Sequence, residues 1–265
     1  MSAPVVQHEI DNRGIATVAL NRPDVNNAYN GELIDSLLSL FGELAANDKV
    51  RVVVIKGNGR HFQAGADLSW INSVRDESPA ENLRVSQQTA ALVRGLNEFP
   101  KPTVALIHGA CIGGGTGVAA ACDIVLASSD AFFAISEARW GLAAQIIFPQ
   151  LNAAIGARNV RRYALTCERF DAATACRIGL VHQVCETGQL EATAAPILEG
   201  LLLAAPEAVA ATKRSVLECA GDIMSDSQFE ALSEQHAAKR QTPEAREGLA
   251  SFIEKRHPGW FTPAA

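Results

Sequence analysis

The run TVALIHGACIGGGTGVAAACD, residues 103–123, passes from a short apolar stretch through a glycine cluster into an alanine-rich segment. Residues 103–107 read as a buried strand, bracketed by Pro100 and Pro102 before it and Gly109 after it. Gly113-Gly114-Gly115 opens a tightly packed helix that ends near Cys122-Asp123. Downstream, residues 124–127 and 131–135 read as two further strands. Upstream, residues 79–99 form a helix, and RVVVIKG at 51–57 is a buried strand that runs into a loop of small residues at 58–67. Farther back, Leu33, Ile34, Leu37, Leu38, Phe41 and Leu44 recur at helical spacing behind Asn30, a suitable N-cap. Residues 14–20 (GIATVAL) form one more strand, stopped by Asn21-Arg22-Pro23. Strand alternating with helix predicts an α/β core. Beyond about residue 157 the pattern is mostly helical, with Pro206 and Pro243 near helix starts. The expected division is an α/β core over 1–200 and a helical region over 201–265.

The composition excludes several classes. The chain has 265 residues, 48% hydrophobic and 20% charged, which is ordinary for a globular protein. A net charge of −6 argues against a nucleic-acid or anionic-membrane surface. The start, MSAPVVQHEI, lacks the basic and apolar regions of a secretory signal, and no uncharged apolar run nears the roughly 20 residues of a membrane helix. Six scattered cysteines suggest neither a zinc motif nor a disulfide framework, which fits a reducing cytoplasm. No metal and no redox cofactor is implied.

Glycines let backbone bend sharply and approach a ligand closely. A glycine turn that opens a helix also presents free N–H groups, backed by the helix dipole. Such a turn holds a phosphate or an oxyanion formed during reaction. A P-loop requires a Gly-Lys pair that is missing here, and the dinucleotide fingerprint fails at Val118. An oxyanion site and plain close packing of the helix both remain open on these residues alone.

Four segments resemble the enoyl-CoA hydratase/isomerase (crotonase) family, in family order and across nearly the whole chain. They are Asn21-Arg22-Pro23 with Asn27-Ala28, Phe62 with Ala64-Gly65-Ala66-Asp67-Leu68, the glycine run itself, and Phe252-x-x-Lys255-Arg256. The resemblance implies a spiral of ββα units with a C-terminal helical trimerisation region, assembled as a homotrimer or hexamer. It implies an acyl-CoA substrate whose thioester oxygen is held by the N–H groups of Ala66 and Gly114. By the same resemblance Val25, Ala64, Asp67 and Leu68 lie along the bound CoA. Phe252 and Lys255 reach CoA from a neighbouring subunit, against the plainer reading of Lys255 as a solvated surface lysine. Coenzyme A enters as part of the substrate.

The acid/base pair departs from the family pattern. Hydratases of this type carry one glutamate in G-G-G-x-E and a second in a later strand–loop. The first position here is Gly117 and the second is Glu137. The resemblance makes Glu137 the proton-transfer group, against a surface carboxylate paired with Arg139. His61 and His108 read as structural. Ser136-Glu137-Ala138-Arg139, Gly141-Leu142-Ala143 and residues 161–173 resemble bacterial hydratases of 3-substituted glutaconyl-CoA. Loss of an inner proline in residues 141–149 favours isohexenylglutaconyl-CoA, of acyclic terpene catabolism, over 3-methylglutaconyl-CoA, of leucine catabolism. On this view the substrate's second carboxylate occupies, or helps order water in, space vacated at Gly117, and its branched tail runs along Gln145–Phe148. A general enoyl-CoA hydratase or isomerase and a silent acyl-CoA-binding protein are the alternatives.

Overall fold

The computed structural model describes residues 3–262. Elements are numbered in chain order. The first half contains β1 (Val6–Ile10), β2 (Ile15–Leu20), α1 (Gly31–Ala46), β3 (Val52–Gly57), α2 (Leu68–Arg75), α3 (Pro79–Asn97), β4 (Thr103–Ile107), β5 (Ala110–Ile112) and α4 (Gly114–Ala121). The second half contains β6 (Ile124–Ser128), β7 (Phe132–Ala134), α5 (Phe148–Thr166), β8 (Phe170–Asp171), α6 (Ala172–Ile178), β9 (Gln183–Cys185), α7 (Leu190–Leu203), α8 (Pro206–Ala220), α9 (Asp226–Arg240) and α10 (Pro243–Ile253).

Two sheets advance side by side. The larger has the order β1-β2-β3-β4-β6-β9, antiparallel at β1–β2 and parallel from β2 onward. The smaller has the order β5-β7-β8, and an isolated Gln63–Cys111 bridge extends it toward the loop after β3. The central turns, β4-β5-α4 and β6-β7-α5, each give one strand to each sheet and then a helix, which is the spiral of ββα units expected. Parallel strands covered on both faces need continuous apolar side chains. Val52, Val53, Val54 and Ile55 of β3 and all of β4 meet that need by being buried.

Local signals fix the helix ends. The Asn30 side chain accepts from the Leu33 N–H at 3.0 Å, and α1 buries Leu33, Ile34, Leu37, Leu40, Phe41 and Leu44 against the sheet. The Asp67 carboxylate caps α2, accepting from Ser69 and Trp70, and pairs with Arg22 at 3.2 Å. Pro206 and Pro243 stand at the first positions of α8 and α10.

The expected boundary at residue 200 falls in the helical stretch. That residue lies inside α7, whose Leu190 and Ala194 pack on the outer sheet face beside Val52, Val104 and Leu126. The break comes at Ala204–Ala205, where α8 starts. Beyond it, α9 returns along α3: Arg94 pairs with Asp226 at 2.8 Å and lies over the Phe229 ring. α10 then covers a short 3₁₀ turn, Glu137–Trp140, with Phe252 edge-on to Trp140 at 4.9 Å. Thus the C-terminal helices roof a cleft in their own chain.

Candidate active site

The principal cavity among the described residues has a volume of about 650 Å³. Its floor is formed where two loops meet. Gly65 has φ +85°, and a Cβ there would lie 3.1 Å from the Ile112 carbonyl, so the loop after β3 runs close against the end of β5. On one loop, Tyr29 N–H donates to the Gly65 carbonyl at 2.8 Å and Asp67 N–H donates to the Tyr29 carbonyl at 2.9 Å. On the other, Gly113 N–H donates to the Ala134 carbonyl and Thr116 N–H to the Gly113 carbonyl, both at 2.8 Å. These bonds fix the backbone on either side of Ala66 and Gly114. The N–H groups of those two residues have no partner among the described residues, and both residues line the cavity. Gly114 is also the first residue of α4, so its N–H lies at the positive end of that helix.

Glu137 begins the 3₁₀ turn that follows β7, and its carboxyl lies against Gly113. A Cβ at Gly113, where φ is +56°, would stand 2.7 Å from Glu137 Oε1. Oε2 is fully buried and has no partner among the described residues. Burial in this poorly solvated pocket disfavours the carboxylate and outweighs bonds from the backbone of Glu137 and Ser136. The Glu137 pKa is raised from 4.5 to about 7. Such a group exchanges protons readily at neutral pH. A pair of free N–H donors beside a carboxyl poised in this way can stabilise an oxyanion while moving a proton.

The other expected residues fall as follows. Val25, Ala64, Asp67, Leu68 and Phe252 line the cavity. The Asp67 carboxylate is engaged by the α2 cap and Arg22, so that side chain holds the loop in shape. Phe252 reaches the cavity of its own chain, whereas Lys255 lies exposed outside that cavity's wall. His61 and His108 are bound within loops, to Ala110 N at 3.0 Å and the Gly59 carbonyl at 2.9 Å. Tyr29, His236 and Arg240 also line the cavity, and nothing in the local sequence marked them.

Gly117 requires a correction. It does not line the cavity, and no space is vacated there. A Cβ at Gly117 would collide with Ile147 Cγ2 and lie 2.7 Å from Ile147 Cβ. Ile147 belongs to a 3₁₀ turn, Gln145–Ile147, and fills the region where a substrate carboxylate was expected. Ile146 and Ile147 of that segment do face the cavity. Gly117→Ala should therefore destabilise the protein by about 1–3 kcal/mol through overpacking. Its thermal midpoint should fall below that of wild type. An unchanged midpoint would show that the site has room.

The family model for enoyl-CoA hydratase/isomerase matches residues 10–263. The chain is 32% identical to mevalonyl-coenzyme A hydratase of Aspergillus fumigatus, over 93% of this chain and 91% of that one. It is 31% identical to the mitochondrial Delta(3,5)-Delta(2,4)-dienoyl-CoA isomerase of Dictyostelium discoideum, over 94% and 88%. An enoyl-CoA hydratase structure from Mycobacterium avium superposes with a TM-score of 0.86 at 33% identity, covering 98% of this chain and all of that one.

Proposed function

The chain belongs to the enoyl-CoA hydratase/isomerase family, and from that premise we propose that it adds water across the double bond of a 3-substituted glutaconyl-CoA. The observation that carries the proposal is the placement of Glu137 beside two unpartnered N–H donors in one cavity. The thioester oxygen accepts from Ala66 and Gly114. Glu137, ionised, takes a proton from water as the water oxygen bonds to C3. The double-bond electrons move to the thioester, and the resulting enolate is stabilised by the two donors. The proton now on Glu137 passes to C2, which restores the carboxylate. One group serving both steps delivers H and OH to the same face of the alkene.

Isohexenylglutaconyl-CoA, of acyclic terpene catabolism, is the preferred substrate, supported by the resemblance of residues 136–143 and 161–173. The cavity adds support, because Ile34, Leu37, Ile71, Leu92 and Val93 give it apolar walls suited to a branched tail. The second substrate considered is 3-methylglutaconyl-CoA, of leucine catabolism. An isomerase reading is favoured by one specific observation: Gly117 stands at the first of the two glutamate positions, and the single remaining carboxyl suffices to move a proton between C4 and C2. Loss of enoyl-thioester absorbance, measured with isohexenylglutaconyl-, 3-methylglutaconyl- and crotonyl-CoA, tests the assignment. The expected kcat/KM falls in that order. A preference for crotonyl-CoA would return the chain to the general hydratases.

We further propose a cytoplasmic homotrimer or dimer of trimers, supported by the exposed Phe252, Ile253, Trp260 and Phe261 at the end of the helical region. On that reading Lys255 contacts CoA in a neighbouring subunit's cavity.

A further inference from the structure

Arg240, the last residue of α9, is 2% exposed. Its Nη1 donates to the carbonyl and Oδ1 of Asn82 at 3.3 and 3.1 Å. Its Nη2 donates to Ser86 Oγ at 3.1 Å and His236 Nδ1 at 3.2 Å. All four acceptors are neutral, and no carboxylate among the described residues bonds the guanidinium. Burial lowers its pKa from 12.5 to about 10, which leaves it charged at neutral pH. Buried charges are ordinarily paired, because removing an ion from water is costly. Here the charge belongs to a residue of the cavity wall that has no counter-ion among the described residues.

Two neutral donors accompany it. His236 Nδ1 lies 2.9 Å from Ser86 Oγ and accepts from Arg240, so the proton of the neutral ring is on Nε2. Burial and the adjacent Arg240 hold that ring neutral, with its pKa pushed down to about 3. The Tyr29 ring packs beside Gly114, since a Cβ on Gly114 would lie 2.6 Å from its Cε1. Tyr29, Glu137 and Arg240 line the same cavity. Burial raises the Tyr29 pKa and keeps the hydroxyl protonated.

We propose that Arg240, assisted by the His236 Nε2–H and the Tyr29 hydroxyl, receives a carboxylate at the far end of the acyl chain, selecting dicarboxylic thioesters over neutral ones. With both Nη groups bonded to protein acceptors, Nε–H and the guanidinium charge are what Arg240 offers a substrate anion, and that anion supplies the charge that no described carboxylate provides. The inference rests on the reading of this cavity as an acyl-CoA site. It moves the carboxylate from Gly117, which is filled, to α9. A simpler role for Arg240 is to tie α9 to α3 through Asn82 and Ser86, with no part in substrate choice.

Two saturated, unreactive thioesters separate these roles in the wild-type protein. Glutaryl-CoA and pentanoyl-CoA share a chain length and differ in the terminal carboxylate. Glutaryl-CoA should bind at least about tenfold more tightly, one tenfold step being about 1.4 kcal/mol. Arg240→Met should lower the kcat/KM ratio of 3-methylglutaconyl-CoA to crotonyl-CoA by about 100-fold, and Arg240→Lys should retain part of it. Equal binding of the two wild-type ligands, or equal loss of both activities in a folded variant, overturns the proposal. If the variants do not fold, the wild-type comparison still decides. Crotonyl-CoA hydration without a glutaryl preference keeps the hydratase reading and removes the anchor. Tight glutaryl-CoA binding without turnover of any enoyl-CoA keeps the anchor and removes the reaction.

Discussion

Glu137→Gln should lower kcat by roughly 10²–10⁴-fold with little change in KM, because the amide preserves shape but cannot exchange the proton. The wild-type kcat/KM should fall tenfold per unit as pH drops below about 7, the value to which burial raises Glu137. The variant should lose that limb. Stability should move the other way. A carboxyl with its folded pKa raised above the unfolded value contributes stability below the unfolded value, and that contribution is lost as pH rises through the folded one. At pH 8 the ionised Glu137 is therefore a burden. For a rise from 4.5 to about 7 the burden is on the order of 3 kcal/mol. Glutamine carries no charge, so the variant should melt above wild type at pH 8 and lose its advantage toward pH 4. Equal melting at pH 8 would mean that the carboxylate is better solvated than its buried, unpartnered Oε2 indicates.

Gly114→Pro should reduce kcat by about 10²–10³-fold, the typical cost of one oxyanion-hole donor. Gly114 is the first residue of α4, where proline is tolerated and no intrahelical bond is lost. The ring would press on Tyr29 Cε1, so the far-ultraviolet circular dichroism and melting curve must be compared with wild type. A second variant, Gly114→Ala, brings the same Cβ toward Tyr29 but retains the N–H. If the alanine protein loses as much kcat as the proline protein, crowding of Tyr29 rather than the missing donor explains the effect.

Much of this architecture was legible in the chain. The strand at 103–107, the glycine turn and the α1 stripe behind Asn30 follow from periodicity and capping, which act over a few residues. The short strands β5, β8 and β9 escaped, because two or three residues carry no period and depend on a partner sheet. The site divides along the same line. Ala66, Gly114 and Glu137 stand in motifs whose backbone geometry is local. His236 and Arg240 join the cavity only when α9 folds back on α3, and Tyr29 only when its backbone pairs with the loop after β3; a helix-end arginine in sequence looks like any solvated charge. The Gly117 error has the same origin. A missing side chain was read as empty space, but the filling came from Ile147, brought in by a distant turn.

The most direct test of the central claim is turnover of a 3-substituted glutaconyl-CoA in ¹⁸O-water, followed by mass analysis of the product. The account predicts a product heavier by one labelled water, with the oxygen at C3, formed roughly 10²–10⁴-fold more slowly by Glu137→Gln. An isomeric thioester that contains no label, or a labelled product formed equally well without Glu137, would contradict it.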